Sequence, residues 1–296
     1  MKHAIAILAA IVFLMECAAN SNPVAQSSPE SESLPLLTNL ELVVSIDFDS
    51  KQVVGTATLT LKNTSTTPLT RIPLILNRLM HINAVRSNDG TPMIYHQEIK
   101  SFEDYGIFQI NATEVDLLEQ LLPEASIQIA VDYQGYLVGY TEVGMRYVRD
   151  QVDRSFTILR EDALAFPVVG VPSFSVNRTA PRNPFDFEVS ITVPEDLVVA
   201  TGGEQVGRMT HDGLITWRYR SRQPAPYLIV AIAPYRVVEA DGLRVFHFPE
   251  DSAGAQGMLQ ASLRAVEWLQ ELFGPLEGSL ALNVMEIPNG WGSQAS

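Results

Sequence analysis

The sequence offers five histidines, His3, His81, His96, His211 and His247. A hydrolytic zinc centre on a helix needs two histidines four residues apart, so that both imidazoles leave one face toward one ion. It also needs a glutamate between them as the base. No pair here has that spacing. Each histidine reads as a partly exposed or hydrogen-bonded residue of a strand or turn. No Gly-x-Ser-x-Gly elbow is present to expose a nucleophilic serine. Gly202-Gly203 is followed by polar residues rather than by a helix, which argues against a phosphate loop. The neighbouring acids Glu161-Asp162 and Glu250-Asp251 suit a solvated loop or a helix cap, because a calcium site needs more oxygens in register. No catalytic and no metal-ligating residue is therefore expected within these 296 residues. Asn289-Gly290-Trp291-Gly292 remains as a place for ligand contact. Trp291 either plugs the turn after a buried strand or stands on a cleft loop whose glycines, Gly290 and Gly292, let backbone amides approach a bound chain.

These groups need a frame, and the chain begins with a segment that is not part of it. Met1-Lys2-His3 is a short basic start, and Ala4 to Met15 is an apolar run too short for a permanent membrane span. Two readings stand. Cleavage after Ala19 releases a soluble protein; alternatively Leu14-Met15-Glu16-Cys17 acts as a lipoprotein box and Cys17 takes a lipid anchor, although Glu16 occupies a place usually held by a small residue. Either way export is expected, to a periplasmic, envelope-anchored or extracellular location, with no transmembrane helix in the mature chain. Cys17 is the single cysteine, so neither a disulfide nor a thiolate metal site is available. Residues 20–35 are polar and proline-rich and read as a flexible tether. A net charge of -14 argues against nucleic acid and anionic lipid as partners, since both need a positive field. Sequons occur at Asn63, Asn111 and Asn177 and matter only in a host that glycosylates.

Order is expected from Leu40. Leu40, Leu42, Val44, Ile46 and Phe48 alternate with polar residues, as do Ala57, Leu59 and Leu61, and later Phe185, Phe187, Val189, Ile191 and Val193. Further strands are predicted at 71–77, 81–86, 93–97, 107–111, 127–133, 156–160, 197–201 and 215–219. Asn88-Asp89-Gly90 is a hairpin signal. Tyr227–Ile232 is apolar throughout, as in a strand covered on both faces. Val115–Leu122 reads as a short helix or the rim of a loop. Near Asp241-Gly242 the pattern changes: a strand over 243–248, a helix from Asp251 or Ser252 that stops at Gly274-Pro275, and a strand over 280–287. The expected fold is mainly β: an antiparallel sandwich or saddle over 36–240, after a signal segment (1–19) and linker (20–35), then the incomplete strand-helix-strand start of an α/β domain over 241–296.

The segments Asn39–Asp47, Leu69–Leu74 with Leu76-Asn77, Tyr133–Leu137, Gly144–Tyr147, Phe185–Pro194, Ala231–Tyr235 and Leu272-Phe273-Gly274 resemble, in order, the N-terminal part of zinc aminopeptidases of the aminopeptidase N type. The resemblance covers about residues 36–296. It implies a saddle-shaped β-domain followed by the start of a thermolysin-like catalytic domain, with zinc and a peptide substrate in the complete protein. The family's His-Glu-x-x-His helix would lie beyond Ser296. Its Gly-x-Met-Glu-Asn loop, whose glutamate holds the peptide's free amine, can be placed in two registers. One sets Met285-Glu286 on the Met-Glu pair and makes Glu286 the anchor. The other, which the strand and turn pattern favours, sets Asn289-Gly290-Trp291-Gly292 at the loop and leaves no acidic anchor. The segment that ends in Asp-Glu-Pro in the family appears here as Ala165–Pro172 without the acids. With the leader, the resemblance leads to the expectation of an exported, non-catalytic N-terminal portion of a zinc metallopeptidase. The alternatives are a complete tethered β-sandwich binding module without enzymatic activity, or a truncated, non-functional product.

Overall fold

A computed structural model describes residues 34–138, 150–179, 183–276 and 280–288. The leader with Cys17, most of the tether, and Gly290, Trp291 and Gly292 lie outside the described residues, as do the family-like Gly144–Tyr147.

The first strand sets the frame. In β1 (Leu36–Asp47), Leu40, Leu42, Val44 and Ile46 are buried while Glu41, Val43, Ser45 and Asp47 face outward. A strand with one apolar face must lay that face on a second layer. It pairs antiparallel with β2 (Gln52–Lys62) and parallel with β10 (Asp186–Pro194). Around them forms a seven-stranded sheet in the order β12 (Glu204–His211), β13 (Leu214–Arg220), β10, β1, β2, β7 (Ser126–Tyr136), β4 (Met80–Ser87). Every other pairing in it is antiparallel. Its inner face shares one apolar cluster with two smaller sheets. Ile72, Leu74, Leu76 and Val115 come from the four-stranded sheet β5 (Tyr95–Phe102), β6 (Tyr105–Leu121), β3 (Leu69–Asn77), β9 (Val168–Val169). Leu159, Val199, Val230 and Ile232 come from the three-stranded sheet β11 (Val198–Thr201), β14 (Ile229–Ala233), β8 (Thr157–Arg160).

The last sheet holds β15 (Arg236–Ala240), β16 (Leu243–His247) and β17 (Leu282–Met285). Before it comes the short helix α1 (Phe174–Thr179); inside it, α2 (Ser252–Phe273) links β16 to β17, which pair in parallel. The architecture is mainly β, as the alternation of the sequence predicts, with a strand-helix-strand layer at the end. Among the described residues no helix is long and apolar enough to cross a membrane.

Val115–Leu122 is neither helix nor loop rim. Up to Leu121 it is the far end of the 17-residue strand β6, where the register against β3 shifts between Leu69 and Arg71. Leu69 meets Leu121 and Arg71 meets Asp116, so four residues of β6 bulge against one of β3. That bulge breaks the two-residue period and leaves Leu118 exposed, which is why the stretch imitates a helical spacing.

The sequons are structural. Asn63 is fully buried, and its Nδ2 donates to the carbonyls of Thr67 and Leu121 at 2.8 Å each. Asn111 is buried and donates to Met80 O and Gln97 Oε1. Asn177 closes a ring with Val171, donating to its carbonyl and accepting from its amide.

Across β2, β7 and β4, Asp132 accepts from Thr56 Oγ1 and from Arg86 Nη2, both at 2.8 Å. The Arg86 hydrogen bond, aided by Thr56, holds the Asp132 carboxyl below the usual aspartate value. A carboxylate whose folded pKa is lowered stabilises the fold above its unfolded value, about 3.9, and loses that contribution as pH falls through the folded value. Asp132→Asn is therefore expected to lower stability at pH 7 by up to about 1 kcal/mol, and to cost progressively less below about pH 4. Urea unfolding at pH 7 and pH 3 checks this; an equal cost at both would refute the linkage.

Candidate functional site

The site of interest is the joint where the terminal layer meets the β-domain. It exists because β14 has no polar face: all five residues, Ile229-Val230-Ala231-Ile232-Ala233, are buried. Val230 and Ile232 enter the main core. Ile229, Ala231 and Ala233 enter a second cluster with Phe156, Ile158, Ala200, Tyr235 and Phe246. The continuous apolar run had predicted a strand covered on both faces, and the two clusters are those covers.

β17 reads as a strand between two layers. Met285 packs against the second cluster, while Val284 packs against a third, formed by Leu243, Val245, Ala255 and Leu259 beneath α2. Alternate residues thus serve opposite layers. Four polar contacts fix this strand. Asn283 Nδ2 donates to Thr201 O at 2.7 Å, tying β17 to the end of β11. The Tyr235 hydroxyl donates to the backbone carbonyl of Glu286 at 2.7 Å. The Phe248 amide donates to Glu286 Oε2 at 2.7 Å, and the Glu286 amide donates to Phe246 O at 2.8 Å. Burial, with the charge of Glu286 beside it, pushes the Tyr235 hydroxyl well above its ordinary pKa, so it stays a neutral donor. Tyr235, Phe246, Phe248 and Phe156 stack and edge one another with centroids 5.4–6.3 Å apart, an arrangement that adds rigidity beyond area burial.

Of the residues singled out by sequence, Glu286 therefore lies at this joint, half-buried just beyond the end of β17, with one carboxylate oxygen engaged by the main chain of Phe248. Gly290, Trp291 and Gly292 follow it outside the described residues. The histidines are dispersed. His81 and His96 lie exposed on β4 and β5, and His211 is exposed beside Asp212. His247 is buried on β16, its Nδ1 2.7 Å from Phe248 O. Among the described residues no three His, Cys, Asp or Glu side chains stand together as a metal site.

The sequence reading missed a buried ion pair. Arg160, at the end of β8, is 1% exposed and makes two hydrogen bonds to Asp150, Nε to Oδ1 at 2.7 Å and Nη2 to Oδ2 at 2.8 Å. Arg160 Nη1 is buried with no partner. The one signal was an arginine closing the mostly apolar stretch Phe156–Leu159; its partner ten residues upstream carries no pattern of its own.

No family model matches the sequence, and no curated protein matches it. Solved structures do match. An M1 zinc metallopeptidase from Deinococcus radiodurans superposes with a TM-score of 0.63 at 19% identity, over 88% of this chain and 57% of that one. A mutant M1 zinc metallopeptidase from the same organism, bound to a Tyr-Ser-Ala substrate, gives 0.60 at 18% identity, over 85% and 56%. A mutant two-domain M1 zinc metallopeptidase bound to L-arginine gives 0.62 at 18% identity, again over 85% and 56%. The chain thus has the fold of the N-terminal part of these aminopeptidase N-type enzymes and spans a little over half their length.

Proposed function

We propose that the chain is the N-terminal, non-catalytic portion of an exported, aminopeptidase-like zinc metallopeptidase. Residues 36–240 are its β saddle and 241–296 the beginning of its catalytic domain, with β15 reaching across that boundary to pair with β16. The observation that carries this is the joint itself. A strand-helix-strand layer is bolted to a β-domain through Tyr235, Asn283 and Glu286, in a fold shared with zinc metallopeptidases. The sequence carries no His-Glu-x-x-His pair of ligands, so the proposal assigns the metal to the rest of the complete protein. When bound there, zinc would polarise the scissile carbonyl and supply hydroxide.

The residues of this chain would do the positioning. The aromatic cluster holds β17 at a fixed height, and Gly290, Trp291 and Gly292, which follow it in sequence, are the proposed peptide contacts. The engaged carboxylate of Glu286 favours a structural post over an amine anchor. A neighbour in fold binds a tripeptide, which makes peptides the proposed substrates of the complete protein. Export rests on the leader, and a lipid anchor on Cys17 is one route to the envelope.

The test has two arms. The purified 296-residue chain is expected to bind no stoichiometric zinc and to hydrolyse no peptide; chelator-sensitive hydrolysis by it would overturn the reading. The coding sequence after codon 296 is expected to continue in frame into a His-Glu-x-x-His helix. A stop codon there would favour a tethered β-sandwich module instead.

A further inference from the structure

The end of the β-domain where β1 begins carries a rim of exposed aliphatic side chains. Leu36 pairs with Lys62, and Lys62 Nζ meets Glu124 Oε2 at 2.7 Å. The next residue, Asn63, donates to Leu121 O, and Leu121 faces Leu69, the first residue of β3. Just before the bulge of β6, the Asp116 amide donates to Ile94 O. These links gather Ile94, Leu118 and Leu122 at one end of the strands, where they are 66%, 57% and 57% exposed. The bulge is what turns Leu118 outward. Single exposed aliphatics are ordinary on a surface, but three along one rim make an apolar patch. The charges around it largely cancel. Lys62 pairs with Glu124, and Arg71 pairs with Glu114 and Asp116. Asp89 and Glu119 are left without an ion pair among the described residues, so the rim's remaining charge is negative.

We infer that this rim is the membrane-facing end of the anchored protein: Ile94, Leu118 and Leu122 rest in the interfacial layer of a zwitterionic lipid surface. The inference rests on the export reading with a lipid anchor on Cys17, and adds which end of the β-domain meets the lipid. Two observations choose this occupant. The first is chain length. Leu36 lies nineteen residues after Cys17, and a flexible chain of that length spans about 24 Å root-mean-square. An acyl group on Cys17 thus keeps the end where β1 begins close to the lipid. Three partly inserted aliphatics bind a membrane weakly by themselves, but a tether supplies an effective concentration of about millimolar, which makes weak insertion count. The second is charge. A rim left negative by Asp89 and Glu119, on a chain of net charge -14, is repelled by anionic headgroups and not by zwitterionic ones.

Cys17 is the single cysteine, so the 296-residue chain can be coupled through it to phosphatidylcholine vesicles that carry a maleimide lipid. Hydrogen exchange at the Asp116, Glu124 and Ala125 amides of the rim is expected to be at least about fivefold slower on the vesicle than in the free chain. The Glu195 amide, which donates to Gly213 O at the opposite end of the strands, is expected to keep its rate. Equal rim rates, or slowing at both ends alike, would overturn the inference. So would slowing in the free chain as its concentration rises, which would assign the rim to a second copy. Ile94→Ser with Leu118→Ser and Leu122→Ser is expected to abolish the slowing and to leave the melting temperature of the free chain unchanged; slowing that persists overturns the role of these side chains. Glu119→Lys guards against a triple variant that folds poorly. It is expected to strengthen rim slowing on phosphatidylglycerol vesicles, where the parent chain shows less than on phosphatidylcholine. A parent chain slowed more by the anionic lipid contradicts the stated partner. Mass spectrometry of the protein from its native envelope separates the two failures. Cleavage after Ala19 removes the anchor and overturns inference and anchor reading together, whereas an acylated Cys17 with equal rim rates overturns the inference alone.

Discussion

Asp150→Ala is expected to destabilise the fold by about 3–5 kcal/mol, because it strands a charge in the interior. Arg160 and Asp150 are 1% and 5% exposed, and two hydrogen bonds join them. Arg160 cannot shed its proton at any accessible pH. One of its nitrogens, Nη1, already lacks a partner, so the guanidinium has no second acceptor to turn to. The control separates a stranded charge from a lost contact. Replacing both partners with apolar residues of similar volume, Asp150→Leu with Arg160→Met, is expected to recover most of the loss. Urea unfolding of the three proteins decides it. A single variant that loses less than about 1 kcal/mol would mean that water reaches the guanidinium.

Gly242→Ala is expected to cost about 3 kcal/mol and to act on the terminal layer in particular. Asp241 and Gly242 both have positive φ, +49° and +82°, and form the two-residue turn between β15 and β16. Such turns need left-handed backbone at both central positions. The second reason is contact. A Cβ on Gly242 would stand 2.2 Å from the backbone carbonyl oxygen of Leu280, just before β17. Backbone cannot turn away as a side chain tip can, so β17 must shift from β16. Hydrogen exchange should then show faster exchange at the Glu286 amide, which donates to Phe246 O, than at Val189 in the centre of the β-domain. Uniform acceleration across both would indicate global destabilisation and contradict a local wedge.

Much of this fold can be read from the residues alone where one face is wet. Alternation in β1, β10 and β13 marks the strands because each buries every second side chain. The terminal strand-helix-strand unit is equally plain, since α2 has capping and stop signals at its ends. Pairing is harder. Nothing in Leu40–Ile46 announces that its second neighbour is β10, and parallel, because the partner lies far along the chain. The bulge in β6 hides for a different reason: its apolar residues are spaced by the bulge, not by the strand. Asp212-Gly213 between β12 and β13 carries the same turn signal as Asp241-Gly242, with φ of +51° and +76°, and the polar character of Glu204–His211 conceals the strand before it. At the joint, Glu286 stands out by its type, yet the partners that define its role, Phe248 and Tyr235, are chosen by packing. Of the Arg160–Asp150 pair only the arginine at the end of β8 leaves a trace, because charge pairing across a loop has no period.

The parallel seam between β1 and β10 governs the order of events during synthesis. Leu40 must wait for Phe187, and the intervening strands have to be threaded before the central pair can close. Contacts of such long sequence separation slow folding, because chain closure must precede any reward from pairing. Until Pro194 has emerged, one whole side of β1 is a bare row of amides and carbonyls, the template that invites another chain. Fragments ending short of that residue should therefore aggregate rather than settle into a smaller sandwich, and the nascent polypeptide has reason to remain held by chaperones until the tenth strand arrives.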